Sequence, residues 1–129
     1  MRTHCQTIDT RWGSDNHPHY SRGNTLPYTG VPFGMNYFLP QTTHEQGAWF
    51  FNPNLPIFQG FRLTHQPSPW IGDYAWCLIT PITGEVTSSD LFRRQSSYSM
   101  KEALFQPHYL RIFSERYQIQ SELVPSCYG

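Results

Sequence analysis

The chain has 129 residues, 38% of them hydrophobic, 16% aromatic and only 14% charged, with nine basic and nine acidic side chains and no formal net charge. A chain of this size buries about two-thirds of its unfolded surface, so one small domain, or part of one, is the ceiling. The balanced charge supplies no basic field and excludes nucleic acid as the main partner; no run approaches the roughly eighteen apolar residues of a membrane-spanning helix, which excludes a membrane partner.

Eleven prolines and nine glycines disfavour long helices and favour short strands joined by turns. Met1 to Gln6 lacks the apolar core of a secretory signal, so no signal peptide is read in this chain. Cys5, Cys77 and Cys127 are too few and too scattered for a disulfide scaffold or a zinc site.

From Met1 to Tyr28 the sequence is polar and irregular, and Trp12-Gly13, His17-Pro18-His19 and Arg22-Gly23-Asn24 suggest a surface-hugging approach to the first strand. Met35 to Leu39 reads as a strand stopped by Pro40, and Ala48 to Phe51 as a second stopped by Asn52-Pro53-Asn54. Phe58 to His65 reads as a third, with Phe61, Leu63 and His65 on one face. Tyr74 to Ile82 is apolar on both parities, which predicts a strand covered on both sides and hence more than one layer.

Thr83-Gly84-Glu85 looks like a turn. Within the polar stretch Ser88 to Gln106 the helical hint is Ser99 to Phe105, cut off by Pro107. Tyr109 to Phe113 and Tyr117 to Val124 predict a hairpin turning near Ser114-Glu115-Arg116, with Tyr117, Ile119, Ser121 and Leu123 pointing inward. Strands at roughly ten-residue spacing predict an all-β, antiparallel β-sandwich. The chain stops soon after a strand with no closing partner in sight, so the sandwich is expected to be incomplete.

The chemistry concentrates where the third strand runs into Gln66-Pro67-Ser68-Pro69-Trp70-Ile71-Gly72-Asp73-Tyr74. Two prolines stiffen that path, so His65, Trp70 and Asp73 leave the sheet in set directions. An indole suits a sugar because the apolar face of a pyranose packs on it while polar neighbours take the hydroxyls; a core or interface plug is an equal reading of Trp70. The residues alone favour a buried, hydrogen-bonded His65, and for Asp73 a turn carboxylate bonding its own backbone. Glycoside hydrolysis needs two facing carboxyl groups, and no two of the nine acidic residues share a motif. His17 and His19 lack zinc spacing, and no oxygen-rich loop suits calcium, so neither a metal site nor a catalytic pair is expected within the chain.

Two further segments, Gly23-Asn24-Thr25-Leu26-Pro27 and Val31-Pro32-Phe33-Gly34-Met35, precede Gly60-Phe61-Arg62-Leu63-Thr64-His65 in the chain, and Thr80-Pro81-Ile82-Thr83-Gly84, Pro107-His108-Tyr109 and Glu122-Leu123 follow it. In order and spacing these resemble the amino-terminal domain of the family 92 glycoside hydrolases, the calcium-dependent exo-α-mannosidases, from about Trp12 to Gly129. The resemblance departs at Leu63, where many members carry a second histidine, and at Gln66-Pro67-Ser68-Pro69, which replaces a commoner Leu-Ser-Gly run.

That resemblance implies a β-sandwich joined to a larger helical toroid. The toroid supplies the catalytic acid, the base and the calcium, and reaction proceeds with inversion. It implies that residues 1–129 are a partial amino-terminal domain, with Phe33, Gly34, His65, Trp70 and Asp73 facing a mannose-containing glycan across the boundary with the carboxy-terminal catalytic domain. The chain would then be inactive alone, hold no cofactor itself, and belong to a periplasmic or secreted enzyme. Competing readings are a free-standing carbohydrate-binding module built on Trp70, and a structural domain that docks a partner through its aromatic surface.

Overall fold

The computed structural model describes residues 7–17, 21–22, 25–43, 50–65 and 75–128. Near the amino terminus, β1 (Asn16–His17) pairs with β2 (Ser21–Arg22), a small antiparallel element inside the stretch read as irregular. The first large sheet holds β3 (Tyr37–Gln41), β5 (Gly60–Thr64) and β6 (Cys77–Ile79) in the order β3-β5-β6, all antiparallel. The second holds β8 (Leu104–Gln106), β9 (Tyr109–Ser114) and β10 (Ile119–Leu123) in the order β10-β9-β8. Between them in the chain, β4 (Ile57–Phe58) pairs with β7 (Ser96–Ser97), and Tyr98 bridges Ser114, which ties this strip to the end of β9.

The two large sheets share one core, and the chain is an antiparallel β-sandwich. Leu39 and Phe61 from the first sheet join Phe105, Leu110 and Ile112 from the second, with Phe58 from β4 and Leu26, Phe51, Tyr98 and Ala103 from the connecting segments. The Phe58 and Phe61 rings meet edge to face at 4.8 Å, and Phe51 meets Phe105 at 5.8 Å. Each such buried side chain contributes about 1.5–3 kcal/mol through apolar area removed from water. The β9–β10 hairpin forms, with its turn at residues 115–118, so that Ser114 belongs to β9 and Tyr117 to the turn; Leu110, Ile112 and Ser114 are buried while Gln120 and Glu122 are exposed, the period-two signature of a sheet with one covered face.

Four local expectations are overturned. Pro40 lies inside β3 opposite Phe61 rather than ending it. Phe38 exchanges both backbone hydrogen bonds with Thr29, and Thr42 donates to Phe50 on the same side, so Pro40 directs its missing N–H away from β5 and costs the ladder nothing. The Phe58 to His65 strand is two strands, because Gln59 crosses between sheets and Gly60 takes φ +145°; a Cβ there would meet the Ile79 carbonyl at 2.7 Å.

The Tyr74 to Ile82 strand shrinks to β6, an edge strand within the described sheet, with Ile79 and the preceding Trp76 exposed rather than covered. Ser99 to Phe105 is no helix: two bonds to the Ser99 carbonyl make a turn, and Leu104 and Phe105 enter β8. The helix of the described residues is α1 (Leu91–Arg94), a single turn capped by the Asp90 carboxylate on the Phe92 N–H at 2.9 Å. No helix among the described residues is long and apolar enough to cross a membrane.

Candidate functional site

The register of the first sheet decides where polar groups gather. Tyr37 opposes Thr64, and Leu63 opposes Cys77, so the start of β3, the end of β5 and the start of β6 lie together at one end of the sheet. Phe33 and Gly34 immediately precede β3, His65 follows β5, and Trp76 precedes β6. Of the five residues proposed from sequence, His65 lies at this end beside Trp76, while Phe33 and Gly34 lie in the turn that leads into β3. Trp70 and Asp73 lie outside the described residues.

Phe33 projects from a turn closed by the Gly34 N–H on the Val31 carbonyl at 3.0 Å; its φ is +59° and it is 100% exposed. Gly34 is required by space: a Cβ would come within 2.9 Å of Val31 Cγ2 and 3.2 Å of the Val31 carbonyl. The turn is held to the carboxy-terminal segment by the Met35 N–H on the Cys127 carbonyl at 3.1 Å. A bulky residue at positive φ on a fully exposed tip is strained and buries nothing, a combination that usually accompanies function.

His65 is exposed rather than buried, and its imidazole stacks on the Trp76 indole with centroids 5.6 Å apart and planes 28° apart. Trp76 itself is 60% exposed. Its direction is set one residue earlier, where buried Ala75 takes φ +54° and its carbonyl accepts from Arg62 Nη1 at 2.8 Å. Arg62 also donates from Nε to Gln41 Oε1 and lays its guanidinium over the Phe50 ring at 4.6 Å. Burial lowers the Arg62 pKa, with Cys77 nearby pulling the other way. Behind it, Gln41 Nε2 donates to Gln59 Oε1 at 2.8 Å, and Gln59 Nε2 to Gln95 Oε1 at 3.1 Å. Gln41 and Gln59 are buried at the opposite end of the sheet, and the relay fixes the Arg62 guanidinium in a single arrangement.

Trp76 was missed by the sequence reading because an apolar run on both parities signals burial, and nothing in that run says that the sheet ends there. The buried relay of Gln41, Gln59 and Arg62 was missed too, since polar residues inside strand patterns normally mark the solvent face.

Five of the described carboxylates are committed elsewhere, and Glu85 and Glu102 are exposed on the surface. Asp9 binds Arg11 through Nε at 2.9 Å, Asp15 accepts from Asn54 at 2.9 Å, Asp90 caps α1, Glu115 accepts from Ser97 Oγ, and Glu122 accepts from Gln120 at 2.6 Å. Among the described residues no group of three His, Cys, Asp or Glu side chains could hold a metal ion, so they do not fit a calcium site. An exposed indole stacked on an exposed imidazole equips this end to bind a polar ligand with apolar faces.

A family model, the N-terminal domain of glycosyl hydrolase family 92, matches residues 7–127. The chain belongs to this family. Among solved structures it is similar to the family GH92 inverting mannosidase from Bacteroides thetaiotaomicron VPI-5482, with 27% identity and a TM-score of 0.78 over 98% of this chain and 17% of that one. An α-mannosidase of the same family from Bacteroides thetaiotaomicron, solved in complex with mannoimidazole, shares the fold at 22% identity and TM-score 0.72, over 93% of this chain and 16% of its own. No curated protein matches. The family 92 chain thus spans about one-sixth of the length of these mannosidases and is homologous to their amino-terminal domain.

Proposed function

We propose that this chain is the amino-terminal, cleft-lining β-sandwich portion of an inverting, calcium-dependent exo-α-mannosidase acting on mannose-containing glycans, and that bond cleavage belongs to a carboxy-terminal domain of the same enzyme. The observation that carries the reading is the match of residues 7–127 to the amino-terminal domain of the family, over 17% of an inverting mannosidase. The chemistry agrees. Inversion needs one carboxyl group to protonate the leaving oxygen and another, roughly 6.5–9.5 Å away, to activate water on the opposite face of the sugar. Asp9, Asp15, Asp90, Glu115 and Glu122 are engaged in local hydrogen bonds or an ion pair, which supports a binding and orienting part for this chain. Calcium, where bound, would polarise and help distort the sugar; its ligands would come from the other domain.

In this reading Phe33, Gly34, His65, Trp70 and Asp73 face the mannose unit, with Trp76 holding His65 in place. Two measurements test it. The chain alone, given an aryl α-mannoside and calcium, should release no aryl alcohol above the blank. A polypeptide extended through the second domain should release mannose that is first seen by proton NMR as the β-anomer. Turnover by the chain alone, or α-mannose as the first product, would overturn the division of labour.

The second reading, a carbohydrate-binding module without hydrolysis, draws on the exposure of Trp76. It requires an extended polypeptide that retains mannosides and cleaves none.

A further inference from the structure

On the far side of the second sheet, away from the shared core, alternate residues of β9 point outward as Tyr109, Arg111 and Phe113, and β10 adds Gln120 opposite Phe113 and Glu122 opposite Arg111. Arg111, Phe113, Gln120 and Glu102 line a hollow of about 300 Å³ on this face. That volume lies at the lower end of the range of small-ligand sites, roughly 300–1,000 Å³. We propose that this hollow is a second carbohydrate site, taking one hexopyranose unit of a glycan whose reacting end is held at the His65 end of the other sheet. The choice of ligand class rests on the function proposed above; the location of the site does not.

The chemistry of the lining selects the ligand. One carboxylate and one guanidinium give no net charge, so neither an anion nor a cation is favoured. Glu102 and Arg111 form no ion pair with each other among the described residues, which leaves the Glu102 carboxylate as an acceptor and the remaining N–H groups of Arg111 as donors for a ligand. Vicinal sugar hydroxyls, each both donor and acceptor, match that pairing, and the amide of Gln120 supplies both roles again. The half-buried Phe113 ring forms an apolar wall for the C–H face of a pyranose.

The base is held firmly. Arg111 Nη2 donates to the Glu102 carbonyl at 3.1 Å, and Gln120 Nε2 donates to Glu122 Oε1 at 2.6 Å. Tyr109 stands on the same face, next but one to Arg111 along β9. A preordered row loses little rotamer entropy on binding.

The test is affinity electrophoresis of the full chain through gels containing soluble α-mannan, alongside gels without it. The wild type should be retarded, and Gln120→Ala combined with Glu102→Gln should weaken retardation at least tenfold with an unchanged thermal melt. Both positions are exposed, and Arg111→Met serves as a third, independent variant. Retardation lost in His65→Ala but unchanged in the double variant would overturn the second site while leaving the cleft reading intact. A wild-type chain that α-mannan does not retard overturns the site as well, whereas the mannosidase reading is then still decided by turnover of the extended polypeptide.

Discussion

Replacing Gln41 with leucine separates the buried relay from mere packing. Gln41 is fully buried, accepts from Arg62 Nε and donates to Gln59 Oε1 at 2.8 Å. Leucine fills a similar volume but satisfies neither partner, leaving one guanidinium N–H and one amide oxygen unpaired away from water. An orphaned buried polar group costs about 1–3 kcal/mol, and more when charged, offset by about 1 kcal/mol of extra apolar burial; the net loss is about 2–4 kcal/mol.

Arg62→Met should cost a similar amount, because it orphans the buried Gln41 Oε1 and removes the guanidinium donor to the Ala75 carbonyl. The double variant should cost less than the sum of the singles by at least about 1 kcal/mol, the mark of residues acting through one network. Urea melts followed by far-UV circular dichroism, with the slope unchanged, give all three values. A Gln41→Leu loss below about 0.5 kcal/mol, or strict additivity, would refute the claim that the relay braces the sheet.

Other expectations follow from single positions. Gly60→Ala should lose at least about 2 kcal/mol, read from the same melts, because its φ of +145° and a carbonyl 2.7 Å from the new Cβ impose both strain and overlap. Burial pushes the Tyr98 hydroxyl up to about 12, with Arg11 pulling it back in part. Its stabilising contribution is therefore complete below about pH 10, the ordinary tyrosine value, and lost as pH rises towards 12, so Tyr98→Phe should blunt alkaline unfolding in that window.

Burial raises the Asp9 carboxyl pKa, but hydrogen bonds from Arg11 outweigh it and hold the group below 3.8. The stability difference between wild type and Asp9→Asn should be constant above that pH and shrink as pH falls further; a difference that grows on acidification would contradict the ion pair's role. Trp76→Ala should leave the free energy of unfolding within about 0.5 kcal/mol of wild type, since the indole is mostly exposed, yet change the proton chemical shifts of the stacked His65 ring.

The sequence by itself determined the class of fold and the family. Proline and glycine density excluded long helices, the period-two alternation of Tyr117 to Leu123 oriented the last hairpin, and the ordered motifs from Gly23 to His65 pointed to family 92, because local rules of turn chemistry and one-sided burial act within a few residues. Tertiary structure decided what depends on distant partners. Pro40 can sit inside β3 because the register of the sheet turns its missing N–H away from β5, Gln41 and Gln59 can be buried only because Arg62 and Gln95 complete their hydrogen bonds, and Trp76 stands exposed because β6 is an edge of the described sheet. Burial and hydrogen-bond satisfaction belong to pairs of residues far apart in the chain, and pairs of that kind leave no mark in the local pattern.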